Sequence, residues 1–172
     1  KQAVHVIRRG GEHLLSLIND LLDMAKLSAN KVTLNLEAVD CKTLIEEVSA
    51  TLELEARRKG LSFAVHTPPV DVLLLTDRRA LSQILINLVG NAIKFTQQGR
   101  VDVVLQDLQL PTGRVVQLHV QDTGPGIPLQ EQPRLFEAFS RVERADRRHH
   151  EGTGLGLHLS RKLAEALGGT LG

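Results

Sequence analysis

The stretch from residue 77 to residue 96 constrains the fold more than any other part of this 172-residue chain. Asp77 is a typical helix N-cap residue, and apolar residues then recur at helical spacing as far as Phe95. At about 100° per residue, Asn87, Asn91 and Lys94 share about 60° of arc on this helix. Apolar residues flank this arc on both sides. On the first side they are Leu81, Ile84, Leu85, Leu88, Ala92 and Phe95, and on the second side Ile86, Val89 and Ile93.

A polar strip between two apolar faces predicts the floor of a pocket, because both faces must pack against neighbours. Neutral amide oxygens beside an ammonium group suit a hydrated Mg²⁺ ion and the phosphates that it bridges, since Mg²⁺ keeps several waters and takes few protein oxygens. A lone asparagine on a helix more often faces water, and this alternative remains open for each asparagine taken alone.

The composition excludes several classes of protein. The hydrophobic content of 42% and the charged content of 24% are those of a globular protein with a core. Lysine and arginine total 21 against 20 acidic residues, so no overall basic field favours nucleic acid. The single cysteine, Cys41, excludes an intrachain disulfide and a zinc-finger ligand set. No apolar run reaches the roughly 20 residues that span a bilayer, and no signal-peptide pattern is present, so we expect a cytoplasmic location without membrane contact from this chain.

Residues 1–30 carry a heptad pattern that is typical of a helical bundle. The seam residues alternate at spacings of three and four, and they are Val4, Ile7, Gly11, Leu14, Ile18, Leu21, Ala25 and Ser28. One helix cannot bury such a stripe alone, so the pattern predicts a partner helix, most simply from a second copy in a homodimer.

The rest of the chain alternates between strand and helix patterns. The period of two across Val32, Leu34 and Leu36 predicts a strand that begins a second domain. Asp40 is the predicted N-cap of a helix that Gly60 ends, and the apolar positions of its buried face are Leu44, Ile45, Val48, Leu52 and Leu54. The further predicted elements are strands at 61–66 and 72–76, the helix after Asp77, a hairpin of 100–106 and 115–121, and a helix from near Thr153 to Gly168 and Gly169.

Two glycine-rich segments are candidate ligand-binding turns. In "VQDTGPGIP", residues 120–128, a strand ends at Asp122, and the following glycines allow the backbone to approach a ligand closely. In "EGTGLGLHLS", residues 151–160, alternating glycines open a helix whose free amides and positive dipole end favour phosphate. The second segment is neither a Walker loop nor a dinucleotide-binding fingerprint. Taken alone, the first segment favours a plain turn, and the second is a weak signal as well.

The order of these motifs resembles that of sensor histidine kinases, which share the ATP-binding fold of the gyrase, heat-shock chaperone, histidine kinase and mismatch-repair superfamily. "DRRALSQILINLVGNAIKFT" is similar to the asparagine box of that family, and "DTGPGIP" to its first glycine box. "LFEAFSRVE" is similar to its phenylalanine box, and "GTGLGL" to its second glycine box. "HLLSLINDLLDMAKLSANK" resembles the second helix of the dimerisation and histidine-phosphotransfer domain.

The resemblance implies an α/β fold, a two-layer α/β sandwich in which a mixed sheet packs against helices, known as the Bergerat type, preceded by one long bundle helix. Residues 1–30 would be the second bundle helix, and residues 31–172 the catalytic ATP-binding domain without the C-terminal edge of its sheet. The implied activity is that of a protein-histidine kinase, with ATP and Mg²⁺ as cofactors. The γ-phosphoryl group would pass to a histidine outside this chain and then to the receiver domain of a response regulator. The parent protein can be membrane-anchored.

The resemblance also assigns site residues. Asp122 would accept the adenine amino group, Asn91 would bind magnesium with Asn87 beside it, and Lys94 would contact phosphate. The remaining nucleotide-binding positions are Gly124, Gly126 and Ile127 at the adenine end, and Gly152, Thr153, Gly154, Leu155 and Gly156 at the phosphate end.

The segment from Phe136 to Glu151 corresponds to the ATP lid of the family. Its basic run is most simply a solvated loop, and a γ-phosphate contact from Arg147 or Arg148 is the alternative.

The chain departs from the family pattern at the phosphoacceptor. His5 and His13 lack the acidic neighbour that follows the family's reactive histidine, so we expect no catalytic histidine in this chain. An ATPase of the superfamily would carry a glutamate where this chain has Asn87, because an amide cannot act as a general base toward water. A regulatory or dimerisation module that binds nucleotide without transferring phosphate remains an alternative.

Overall fold

The computed structural model describes residues 33–140 and 153–172, together with residues 10, 11, 14, 18, 21, 22 and 25. Within these ranges the chain forms three helices of at least 11 residues and five strands. In chain order the elements are β1 (Glu37–Asp40), α1 (Cys41–Arg58), β2 (Ser62–His66), β3 (Leu73–Thr76), α2 (Arg78–Phe95), β4 (Arg100–Leu110), β5 (Gly113–Asp122), a short 3-10 helix (Gln132–Arg134) and α3 (Gly156–Ala166).

The strands form two small sheets that are open at their edges. In the three-stranded sheet, β4 is central and pairs in parallel with β2 and antiparallel with β5. In the two-stranded sheet, β1 and β3 pair antiparallel with Ala38 opposite Leu75. The predicted mixed α/β fold is therefore confirmed.

Both predicted aspartate caps are present. The side chain of Asp40 accepts a hydrogen bond from the Lys42 amide at the start of α1, and that of Asp77 accepts from the Ala80 amide at the start of α2. Asp77 also accepts from the Asn35 amide at 2.8 Å, which ties the segment before β1 to the beginning of α2. These bonds satisfy amides that a helix start leaves without partners.

Helix α2 lies between two hydrophobic clusters. The larger cluster joins α1, one face of α2 and the β4 side of the sheet, and it includes Leu44, Ile45, Leu85, Val101 and Val103. The smaller cluster joins α2 to α3, and its members are Ala80, Ile84, Leu159, Leu163 and Ala164. Two faces of α2 are therefore occupied, but they are not the two predicted flanks, because Val89 and Ile93 of the second flank pack in the larger cluster with Leu85 of the first.

Three sequence-based expectations were wrong in detail. The predicted strand at 32–36 is displaced, because residues 33–36 belong to no strand and β1 begins at Glu37, where its partner β3 is available. Helix α3 begins at Gly156 rather than near Thr153. Leu54, predicted to lie on the buried face of α1, is 55% exposed.

Most of the predicted bundle helix lies outside the described residues, and so do His5 and His13. The described residues of this region are helical, and Leu14, Ile18, Leu21 and Leu22 are about half exposed. The division into residues 1–30 and 31–172 stays a prediction. Among the residues that the structure describes, no helix combines the length and the apolar character needed to cross a membrane.

Candidate functional site

The predicted polar strip of Asn87, Asn91 and Lys94 lies along α2, and all three side chains are half-buried. The expectation for the two flanks was partly wrong, since Phe95 of the first flank is 37% exposed and Ile86 of the second is 45% exposed, whereas Val89 is fully buried. The strip therefore lies at the rim of the helix layer, next to the α2–α3 contact.

Asn87 joins α2 to α3 through a hydrogen bond that the sequence analysis missed. Its amide nitrogen donates to Oγ of Ser160 at 2.8 Å, and Ser160 is 1% exposed. Ser160 stands among the apolar residues of the buried face of α3, and a lone polar residue on such a face was the available signal. The bond orients the Asn87 carboxamide, because its nitrogen must point at the hydroxyl.

The oxygen of Asn87 points toward the start of α3. A Cβ added at Gly156 would stand 2.3 Å from Oδ1 of Asn87, so only glycine fits there without a shift. Asn91 donates weakly to the same oxygen at 3.5 Å. No described residue donates a hydrogen bond to Oδ1 of Asn91, so this oxygen has capacity for a ligand.

Asp122 ends β5 and lies beside the last turn of α2. One carboxylate oxygen accepts from the Gly124 amide at 2.8 Å and from the Thr96 hydroxyl at 3.4 Å. Thr96 is fully buried at the end of α2, whereas Asp122 itself is exposed. Because Asp122 is exposed, any hydrogen bond that its carboxylate accepts from a ligand competes with water.

The first glycine turn is closely packed around Asp122. A Cβ on Gly124 would lie 2.7 Å from Oδ1 of Asp122 and 3.3 Å from the Phe95 carbonyl oxygen. Gly126 has φ +66°, which favours glycine, and Ile127 is 38% exposed. The turn thus presents backbone and one apolar side chain at its surface.

The second glycine turn leads into α3. Gly154 has φ +71°, a conformation outside the helix, and the Leu155 amide donates to the Thr153 hydroxyl at 3.0 Å. The Leu155 side chain is fully buried, so only its backbone can face a ligand. Gly152 lies outside the described residues, as do Arg147 and Arg148.

A lysine outside the strip caps the end of α2. The Lys59 ammonium donates to the carbonyl oxygens of Ile93 at 2.7 Å and Lys94 at 2.6 Å. Burial lowers the pKa of Lys59 from its usual value. A cation at a helix C-terminus is favourable, and here it holds the turn from which Lys94 extends its ammonium to 4.9 Å from the Phe95 ring.

The described residues contain no group of three or more histidine, cysteine, aspartate and glutamate side chains that could hold a metal. A cation at the strip would therefore contact amide oxygens and its own waters. From Asn87 to Thr96 the helix rises about 14 Å, at about 1.5 Å per residue. The strip thus connects the Gly156 end, at the N-terminus and positive dipole end of α3, to the Asp122 end, with its carboxylate.

Comparison with known proteins gives one family match. The family described as Histidine kinase-, DNA gyrase B-, and HSP90-like ATPase matches residues 76–172. The signal transduction histidine-protein kinase BarA of Escherichia coli (strain K12) is 37% identical over 170 residues, which cover 98% of this chain and 18% of that protein. The chain thus corresponds to a small part of that relative.

Solved structures agree with this match. Full-length ShkA in complex with AMPPNP has a TM-score of 0.81 and 38% sequence identity, over 97% of this chain and 34% of that one. The histidine kinase ThkA in complex with the response regulator protein TrrA has a TM-score of 0.73 and 25% identity, over 98% of this chain and 45% of that one.

Proposed function

Because the chain belongs to the histidine kinase-, DNA gyrase B- and HSP90-like ATPase family, we propose that it is the ATP-binding catalytic part of a sensor histidine kinase. It donates the γ-phosphoryl group of ATP to a histidine outside this chain, and a response-regulator aspartate then receives that group. The observation that carries the proposal is the half-buried strip on α2, which connects the Asp122 turn to the glycine turn before α3.

The two ends of the strip suit the two ends of ATP. The Asp122 carboxylate is an acceptor for the adenine amino group, and Ile127 offers apolar surface for the base. At the other end, Gly154 and Gly156 leave no side chain between the backbone and the phosphates. Lys94 adds a positive charge between these ends.

Magnesium fits the donor set of the strip. Asn91 and Asn87 would hold the ion through their amide oxygens, since Mg²⁺ keeps several waters and takes few protein ligands. The ion would supply charge neutralisation at the phosphates. The contribution of this chain is positioning, because phosphoryl transfer through a loose transition state needs little covalent chemistry from the protein.

The carboxamide of Asn87 favours transfer over hydrolysis. A general base must accept a proton from water, and an amide cannot do so at neutral pH. The Asn87 amide nitrogen is also committed to Ser160. A superfamily ATPase is therefore the less favoured alternative.

The proposed partners follow from this activity. The receiver domain is supported by the relative ThkA, whose structure contains the response regulator protein TrrA. A homodimer through the N-terminal helix is supported by the half-exposed Leu14, Ile18, Leu21 and Leu22. The use of ATP as phosphate donor favours a cytoplasmic location.

The test uses γ-labelled ATP and a separate polypeptide that carries the family's phosphoacceptor helix. We expect acid-labile, base-stable label on the added helix only, and its transfer to an added receiver domain. Asn91→Ala should abolish this label without unfolding the chain. Release of inorganic phosphate without label on the helix would instead identify an ATPase, and label on His5 or His13 would refute an external acceptor.

A further inference from the structure

The segment of residues 135–140, here called the phenylalanine segment, is attached to α3 and to the turn before it. The Phe139 amide donates to the Gly154 carbonyl oxygen at 3.0 Å. A ring nitrogen of His158 lies 2.7 Å from the Phe136 carbonyl oxygen, and the Arg161 guanidinium lies 5.2 Å from the centre of the Phe136 ring. His158 and Arg161 are three residues apart, so they project from the same side of α3.

The hydrogen bond of His158 has a defined direction. A carbonyl oxygen can only accept, so Nδ1 of His158 carries the hydrogen and donates it to Phe136. His158 and Phe136 are both half-buried, and partial exclusion of water strengthens such a bond. The ring and the carbonyl oxygen of Phe136 are therefore both held by α3.

The phenylalanine segment and the second glycine turn are in direct backbone contact. A Cβ on Gly154 would lie 2.9 Å from the Phe139 carbonyl carbon and 2.9 Å from the Ser140 carbonyl oxygen. Two backbones this close cannot move independently, so a displacement of the segment displaces the turn.

Phe139 has an unfavourable backbone conformation that its neighbours must maintain. Its φ is +62°, and it is the only residue other than glycine with positive φ among those that the structure describes. Its side chain is 64% exposed and gives little packing in return. Such a conformation persists only where surrounding contacts hold it, and here those contacts are the Gly154 bond and the attachment of Phe136 to α3.

We propose that His158 and Arg161 are positioning residues that hold the phenylalanine segment on α3 and thereby fix the Gly154 turn for the phosphates of the nucleotide. Neither residue touches the nucleotide in this proposal. The role rests on the proposed function, since it concerns the phosphate end of that site. The contact between the segment and α3 can nevertheless be measured without any ligand.

The first test compares the affinities of the full chain for ligands with phosphates, ATP and ADP, and for adenosine, which has none. His158→Ala should weaken binding of ATP and ADP by about 3- to 10-fold, the effect of one lost hydrogen bond, and should leave adenosine binding unchanged. His158→Asn should restore binding, because the Asn amide nitrogen occupies about the place of Nδ1 and can donate to Phe136. His119→Ala is the matched control, since His119 is an exposed histidine on β5 whose ring nitrogen lies 3.3 Å from the Gln117 side-chain oxygen, away from the phenylalanine segment in sequence.

The second measurement is amide hydrogen exchange of Phe139 without ligand. The Phe139 amide should exchange slowly in the unchanged chain and faster in His158→Ala. In His158→Asn the slow exchange should be restored. Equal weakening of adenosine and ATP by His158→Ala would overturn the proposal, since it would indicate a general loss of structure. Unchanged ATP binding and unchanged exchange would overturn it as well. If the unchanged chain binds no ATP, the proposed function fails and the positioning role fails with it, whereas exchange still reports whether His158 holds the segment.

Discussion

Replacing Gly156 by alanine tests whether the contact between α2 and α3 depends on the Asn87 carboxamide. The added Cβ would stand 2.3 Å from Oδ1, 2.9 Å from Cγ and 3.1 Å from Nδ2 of Asn87. The carboxamide must therefore rotate away, and rotation removes its 2.8 Å bond to the buried Ser160 hydroxyl.

The change in the free energy of unfolding expected for Gly156→Ala follows from two opposing contributions. Loss of the bond leaves a buried hydroxyl without this partner, which costs about 1–3 kcal/mol. Alanine in place of glycine stabilises a helix by up to about 1 kcal/mol in its interior and by less at the first helical position. We expect Gly156→Ala to lower the free energy of unfolding by about 1–2 kcal/mol. Gly90→Ala in α2 is the matched control, because its Cβ meets nothing within 4 Å, and it should raise the free energy of unfolding by about 0.5–1 kcal/mol.

A double-mutant cycle identifies the cause. In an Asn87→Ala background the carboxamide is absent, so Gly156→Ala should become neutral or stabilising, with a coupling energy of about 1–2 kcal/mol between the two positions. Urea denaturation followed by far-UV circular dichroism gives the four free energies. If Gly156→Ala has the same cost in both backgrounds, the carboxamide is not the origin of that cost, and the interpretation of Gly156 is wrong.

Four further predictions concern the ligand, the pH and the assembly. Calorimetry should give at least about 10-fold tighter binding of ATP than of GTP, because the Asp122 carboxylate accepts a charge-assisted hydrogen bond from the adenine amino group. Asp122→Asn should bring the two affinities closer together. Equal affinities for ATP and GTP in the unchanged chain would contradict the role of Asp122 as the adenine acceptor. Asn91→Ala should remove the magnesium dependence of ATP binding while circular dichroism stays unchanged. The hydrogen bond from the Ala80 amide holds the pKa of Asp77 below its usual value despite the opposing effect of burial. The ionised Asp77 therefore stabilises the fold above about pH 4, and this stability is lost as pH falls through the folded pKa. Asp77→Asn should reduce the decrease in the free energy of unfolding between about pH 4 and 2, measured by urea titration. Ile18→Glu should weaken any self-association measured by sedimentation, and an unchanged dissociation constant would argue against the bundle.

Much of the fold could be predicted because its signals are local. The caps at Asp40 and Asp77 and the helical spacing after each determine where α1 and α2 begin. The position of β1 could not be predicted, because the alternating pattern continues through Leu36 and only pairing with β3 decides which residues form the strand. The start of α3 was misplaced because Gly154 adopts φ +71°, a left-handed conformation that a right-handed helix cannot include.

The same distinction applies to the site. The polar strip was predictable because Asn87, Asn91 and Lys94 lie on one helix. The contacts of Ser160 and His158 were not, because each partner lies on a different element more than 20 residues away in sequence. Positioning contacts of this kind depend on the packing of α3, which periodicity alone does not determine.

The identity of residue 87 connects packing with chemistry. An asparagine donates to Ser160 through its nitrogen and keeps an oxygen toward the strip, whereas a carboxylate is acceptor-only and would require the Ser160 hydroxyl to donate instead. The Asn87 oxygen already lies 2.3 Å from the place that a Cβ on Gly156 would take, so a side chain longer by one methylene would have to point in a different direction. The α2–α3 contact therefore accommodates a short amide well and a glutamate poorly. Since a glutamate is the residue that could accept a proton from water, the packing that joins the two helices also disfavours hydrolysis of a bound triphosphate.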